Sequence, residues 1–376
     1  MKSFDVAIAG AGLIGGAIAL ELARAGLKVG LFDSQEPGRE ASWAGAGILS
    51  PAPENASMLP LVELGKASLA LYPEFIQLVE ELSGQEVGFR PRGTLETFSS
   101  RHAIEELSTV VALHHGLGLK AEALSGDDAR KLEPAISEAV EAGVLRPEEG
   151  SVDSRALTEA VLEAARRSGV EIFAGQAARS IGRYSFPRLT CMGLLLDDEE
   201  VRAKFTVIAA GCFSGSIEGV GRFAPVRPSK GQMVALRAAG VSIDRVVWSE
   251  HVYLVPRNDG RILAGATVEY VGFEKTPNAG GLAKLLAAAI EVVPGLAEAK
   301  IEEHWAGLRP DSPDHLPILG PSDVEGLLTA TGHFRSGILL APITARLIRE
   351  WITLGSVSVD WERFSPMRFE NVPRKS

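Results

Sequence analysis

Apolar residues follow two different periods along this chain. Val6, Ala7, Ile8 and Ala9 form a short unbroken apolar run, the pattern of a strand buried on both faces of a parallel sheet. Glycines punctuate residues 10–15, and an Ala- and Leu-rich stretch without a breaker then predicts a helix over 16–25 that stops at Gly26. A second strand is predicted over 28–32, ending in Asp33. Helical spacing returns over 61–82: Leu64, Ala67, Leu71, Phe75, Leu78, Val79 and Leu82 share one face, and Glu63, Lys66, Gln77, Glu80 and Glu81 lie away from it. Pro73 is expected to kink or split this helix.

Further helices are predicted over 103–114, 127–132, 156–167, 282–292 and 341–351, the last with Pro342 tolerated in its first turn. Apolar runs at 170–173, 207–210 and 327–331 read as strands. Residues 246–256 alternate and are rich in strand formers; with 261–267 beyond the turn Asn258, Asp259, Gly260 they predict an antiparallel hairpin.

Composition narrows the class. At 376 residues the chain exceeds the roughly 250–300 at which a single core stops growing, so two domains are expected. A net charge of −10 argues against a broad nucleic-acid or anionic-membrane surface, so an anionic substrate has to meet local arginines. Cys191 and Cys212 form no C-x-x-C pair, which suggests neither a disulfide framework nor a metal site and fits a reducing cytoplasm. The apolar stretch 6–20 carries glycines and falls short of the ~18 residues of a membrane span. It reads as fold, with no membrane insertion expected.

The glycine turn carries the first chemistry. Gly10, Ala11, Gly12, Leu13, Ile14 and Gly15 spell G-x-G-x-x-G between a strand and a helix, and Asp33 with Ser34 ends the next strand, which together read as a dinucleotide site. Gly10 permits the turn, Gly12 lets a pyrophosphate approach, Gly15 lets helix and strand pack closely, and the helix N-terminus offers N–H groups to the anion. Asp33 suits a ribose hydroxyl. The small-residue passage from Gln35 to Leu49 could lie close against a long ligand, which favours FAD over NAD.

The run G-R-x-A-S-x-A-x-A-G-I-L at 38–49 resembles the D-amino-acid oxidase family of flavoproteins, and within it the glycine oxidases of the thiamine-biosynthesis type. H-W-A-G-L-R-P at 304–310 and G-H-F-R-S-G-I-L at 332–339 carry the same resemblance, which spans nearly the full chain. It implies an α/β fold: a Rossmann-like FAD-binding domain with a discontinuous α+β substrate domain built on an antiparallel sheet. The expected partition is 1–86, 150–225 and 305–376 for FAD, and 87–149 and 226–304 for substrate.

The resemblance also implies roles. Ala41, Ser42, Ala46, Gly47 and Ile48 would lie on FAD, with Ala178 and Gly211 close to it. His333, Phe334, Arg335, Ser336, Gly337, Ile338 and Leu339 would lead a helix N-terminus toward the flavin, whose anionic ring edge the dipole favours. FAD is expected to be non-covalent, since no cysteine follows Cys212. Arg309 would clamp a substrate carboxylate through its planar fork. Tyr253 would donate its hydroxyl to the same group, Arg335 would sit near flavin and substrate, and His251 would share the strand face of Tyr253 and line the entrance. Gly45 departs from an alanine common in the family and predicts a looser loop. Val268 and Ser336 depart from a methionine and an asparagine and would reshape the pocket.

The implied reaction is hydride transfer from glycine, with sarcosine and small D-amino acids as further substrates, to FAD, with no obligatory protein base. Glyoxylate, ammonia and hydrogen peroxide would result, or the imine would enter thiazole assembly for thiamine. The expected partners are the amino-acid substrate, molecular oxygen and further copies of the chain in a homo-oligomer, with no nucleic acid. One alternative is a D-amino-acid or sarcosine dehydrogenase with another electron acceptor. Another, of a different class, is a non-catalytic FAD-binding protein, which has no need of Arg309 together with Tyr253. The acidic balance speaks against a tRNA-modifying member of the family, and the small-residue passage against an NAD-dependent dehydrogenase.

Overall fold

The computed structural model describes residues 2–53, 55–184 and 188–369. The N-terminal apolar run lies inside an eight-stranded sheet. Its strand, Lys2–Ala9, pairs in parallel with Val29–Phe32 on one side and Glu200–Ile208 on the other. Glu171–Phe173 and Leu327–Thr331 extend the parallel sheet at its two sides, and Ile318–Pro321 closes one edge antiparallel. The hairpin of Ser180–Tyr184 and Thr190–Leu195 branches from Glu200–Ile208. Val6, Ile8, Leu31 and Val207 are fully buried, as unbroken apolar runs in a parallel sheet require. They share a core with the helices Leu13–Arg24, Val62–Ser83, Ser154–Arg167 and Gly337–Leu354.

In three helices the difference from the sequence pattern has a clear physical reason. Leu13–Arg24 starts ahead of the predicted position because Gly15 leaves room for the turn: a Cβ there would strike the Gly10 carbonyl oxygen. Val62–Ser83 is one helix that Pro73 does not split. Pro73 lies on the exposed side, while buried Tyr72 and Phe75 beside it hold the helix to the core. The last helix, Gly337–Leu354, begins upstream of its prediction, so Pro342 falls inside it and not in its first turn. Proline has no N–H, which leaves the Ile338 carbonyl without its helical donor. The Tyr72 hydroxyl donates to that carbonyl at 2.5 Å, and Ser68 Oγ donates to the neighbouring Leu339 carbonyl at 2.6 Å.

A second eight-stranded sheet runs in the order Lys300–Asp311, Arg227–Arg237, Ile262–Gly265, Tyr253–Pro256, Val246–Trp248, Thr94–Phe98, Ala142–Arg146 and Glu122–Ser125. Only Val246–Trp248 with Thr94–Phe98 is parallel. The predicted hairpin is present as Tyr253–Pro256 against Ile262–Gly265. Helix Ala279–Val292 packs on one face, over Val234, Leu236, Leu254 and Ala264. On the other, register aligns Ser229, Gly231 and Met233 with Arg309, Gly307 and Trp305, and continues through Gly265, Tyr253 and Trp248. Strand Lys300–Asp311 runs unbroken through residues 304 and 305. Among the described residues no helix is long and apolar enough to cross a membrane.

Candidate active site

A cavity of about 520 Å³ draws its lining from both sheets. Gly10, Gly12, Leu13, Ile14, Asp33 and Ser34 form one part of the wall. Gly12 caps the first helix without a side-chain hydrogen bond, so the positive end of the helix dipole faces the cavity. Ser42 Oγ takes the Leu13 N–H at 2.9 Å. Asp33 is held by the N–H groups of Ala11 at 2.8 Å and Gln35 at 3.0 Å, while burial pushes its carboxyl pKa up. Gly15 is outside the lining and instead makes the close contact beneath the turn.

A second helix N-terminus opens into the same space. Gly337, Ile338 and Leu339 begin the helix, and its N-cap, Ser336, makes no side-chain hydrogen bond to it. His333, Phe334 and Arg335 lead into this end and line the cavity. Burial pushes the His333 pKa down to about 3, so its ring is neutral, and Nε2 lies 3.1 Å from Thr344 Oγ1. Ala41, Ser42, Ala46, Gly47 and Ile48 line the intervening wall, and Ala178 and Gly211 border the cavity as well. Gly45 has an extended conformation with φ −68°, and the carbonyl of Gly45 accepts from Ser154 Oγ at 2.6 Å, so this passage is tied down and not loose.

The second sheet supplies the remaining polar groups. Arg309 Nη1 donates to the Thr267 carbonyl at 3.1 Å, and its guanidinium lies over Gly231, where any Cβ would overlap it. The Tyr253 hydroxyl donates to Met233 Sδ at 3.3 Å. Burial raises the Tyr253 pKa, which keeps the phenol protonated at neutral pH. His251 departs from expectation: it lies in the exposed turn between Val246–Trp248 and Tyr253–Pro256, not on the strand, and reaches the cavity from its rim. Val268 is 43% exposed and outside the lining, whereas Ser336 is part of it. Met233 and Trp248 line the cavity although the sequence did not single them out; only the pairing of Met233 with Gly265, and of Tyr253 with Gly265 and Trp248, brings them to the site face.

Two helix N-termini that open on the cavity, an anchored carboxylate and a wall of small residues suit a dinucleotide with a diphosphate and a ring edge that takes negative charge. The donor set fits FAD. The sequence profile of the DAO family, described as FAD-dependent oxidoreductases, matches residues 5–351. This chain belongs to the DAO family.

As a DAO-family FAD-dependent oxidoreductase it has full-length relatives. A glycine oxidase of Bacillus licheniformis is 31% identical over 377 residues, covering 99% of this chain and 100% of that one. A bifunctional ThiO/ThiG protein of Synechocystis is 37% identical over 373 residues, covering 97% of this chain and 54% of the relative. The chain therefore spans about half the length of that bifunctional protein. The crystal structure of glycine oxidase from Geobacillus kaustophilus superposes with a TM-score of 0.91 at 30% identity, covering 98% of this chain and 99% of that one.

Proposed function

We propose that this DAO-family oxidoreductase oxidises glycine with molecular oxygen, and that sarcosine and small D-amino acids are secondary substrates. The observation that carries the reading is the placement of Arg309 and Tyr253 on one sheet face, bordering the cavity that fits FAD. FAD would supply the acceptor for a hydride from the α-carbon of the neutral-amine form of the substrate, whose nitrogen lone pair forms the C=N bond as the C–H bond breaks.

The side chains supply orientation. The planar fork of Arg309 takes the substrate carboxylate, losing its bond to the Thr267 carbonyl. The neutral Tyr253 phenol turns from Met233 to the same carboxylate as a second donor. Together they fix the α-carbon by its carboxylate and leave its C–H free to point along the cavity. Arg335 keeps the mouth cationic, which suits the carboxylate of a substrate approaching a chain of net charge −10. His251 at the rim contacts the substrate on entry. The small-residue wall and the Asp33 end hold the cofactor without a covalent bond, since Cys212, which also lines the cavity, is buried and pushed up to about 12, far from thiolate at neutral pH.

The same reading assigns glyoxylate, ammonia and hydrogen peroxide as products, or passage of the imine to thiazole synthesis, and a cytoplasmic homo-oligomer. It keeps the two-domain partition, with the last boundary moved beyond Asp311 because Lys300–Asp311 belongs throughout to the second sheet. Anaerobic mixing with glycine tests it: rapid bleaching of the flavin absorbance is expected, followed in air by peroxide release. Bleaching without peroxide would instead favour a dehydrogenase, and no bleaching by any of the three amine classes would reject the substrate assignment.

A further inference from the structure

The wall between Trp43 and Gly47 has its carbonyls occupied one after another. Arg155 Nε donates to the Trp43 carbonyl at 3.2 Å, Trp305 Nε1 to Ala44 at 3.2 Å, Ser154 Oγ to Gly45 at 2.6 Å, and Arg257 Nη2 to Ala46 at 2.8 Å. The Val152 N–H takes the Gly47 carbonyl at 2.8 Å. Five consecutive carbonyls are thus accounted for, whereas among the described residues the N–H groups of Ala46 and Gly47 donate to nothing. Ala46 and Gly47 both line the cavity.

The donors are themselves held. Arg155 forms two bonds with Glu303, at 2.8 and 2.9 Å, and its guanidinium lies 3.6 Å from the Trp43 ring centre and 4.6 Å from that of Trp305. Arg257 is buried and lies 3.4 Å from Asp153, whose side chain caps the helix that begins with Ser154 and Arg155. One of the donors lies in, and another directly follows, a strand that presents a carboxylate-binding group. Trp305 and Arg309 share one face of Lys300–Asp311, and Arg257 directly follows the strand Tyr253–Pro256.

We propose that Trp305 and Arg257, with Ser154, are positioning residues that set the distance between the substrate anchored by Arg309 and Tyr253 and the cofactor lying against Ala46 and Gly47. This inference rests on the amine-oxidising reading for its kinetic consequence only. A wall free to drift would still bind both partners, yet would misplace the reacting atoms, and displacements near 1 Å at such sites cost about a hundredfold in rate.

Trp305→Phe tests it, because an aromatic ring is kept under Arg155 while the donor to Ala44 is deleted together with part of the indole, and Ser154→Ala, which removes a single oxygen, separates the lost bond from the lost volume. The expected result has three parts: FAD remains bound, the visible flavin band and the dye-coupled midpoint potential shift from those of the parent, and the limiting anaerobic reduction rate falls at least about tenfold with the substrate dissociation constant unchanged. Ser154→Ala should shift band and potential likewise, and Arg257→Lys, which keeps a donor, should recover part of the effect seen in Arg257→Met. The band and potential require no amine, so they report on the wall even if glycine proves not to be the substrate. Parent-like band, potential and limiting rate in both Trp305→Phe and Ser154→Ala would overturn the proposal, as would a change confined to substrate affinity.

Discussion

Arg309 illustrates how much a single side chain depends on its neighbours being absent. Gly231 leaves the space that its guanidinium fills, and Arg309→Lys replaces a planar fork by a point donor. Loss of one charge-assisted bond, about 2 kcal/mol, should raise the glycine KM about 30-fold with the flavin spectrum unchanged, which steady-state kinetics will read. Gly45 is the opposite case. Its φ of −68° is open to any residue, and an added Cβ would meet Ala41 O at an ordinary 3.5 Å. Gly45→Ala should therefore alter stability by no more than about 0.5 kcal/mol in denaturant titration. His333 sets a pH response. Its folded pKa of about 3 lies below the ordinary 6.5, so its contribution is complete above pH 6.5 and is lost as the pH falls toward 3. The unfolded chain takes up the proton first, with a slope approaching 1.4 kcal/mol per pH unit. Burial lowers His114 in the same sense and raises Glu133 and Glu149 in the opposite one, so the test is a difference. His333→Asn should flatten the stability curve between pH 6.5 and 4 relative to the parent; an unchanged slope would reject the assignment.

At the scale of elements, the helix Gly337–Leu354 shows how tertiary contacts override local rules. Pro342 removes the donor for Ile338, and the hydroxyl of Tyr72 from another helix replaces it. Tyr72→Phe should cost about 1–3 kcal/mol in unfolding free energy, the penalty of a buried carbonyl left unsatisfied. Adding Pro342→Ala should restore an N–H to that carbonyl, so the double variant should lose less than Tyr72→Phe alone. Additive losses would show that the two features are unrelated. The same helix explains one misplaced start in the sequence reading. A proline normally marks a first turn, and nothing near it in the chain reveals that Tyr72, 266 residues away from Ile338, supplies the missing bond. Periodicity located Val62–Ser83 closely because it buries one stripe against a core, a property written into local spacing.

Across the whole molecule, the cavity draws on both sheets, so cofactor binding and folding should be coupled. FAD at a hundred times its Kd should raise the unfolding free energy by about 2.7 kcal/mol. Flavin release and tryptophan fluorescence should change in one coincident thermal transition; two separated transitions would mean that one sheet melts independently of the site. The glycine turn, the acidic strand end and the runs around Arg309 and Arg335 were visible in the chain because they are contiguous, although the fold brings only part of each run, Gly10 but not Gly15 and Arg309 but not His304, to the cavity wall. Apolar period likewise determined which strands are buried on both faces and which helices carry a single stripe. Tertiary structure alone decided the face shared by Met233, Tyr253, Trp248 and Arg309, since strand register, not spacing within a strand, sets which side chains stand together. It alone placed His251 in a turn. It also decided the bonds that hold the cofactor wall, because Trp305 and Ala44 are 261 residues apart and Arg257 and Ala46 are 211 apart, and hydrogen bonds of that reach leave no local pattern in the sequence.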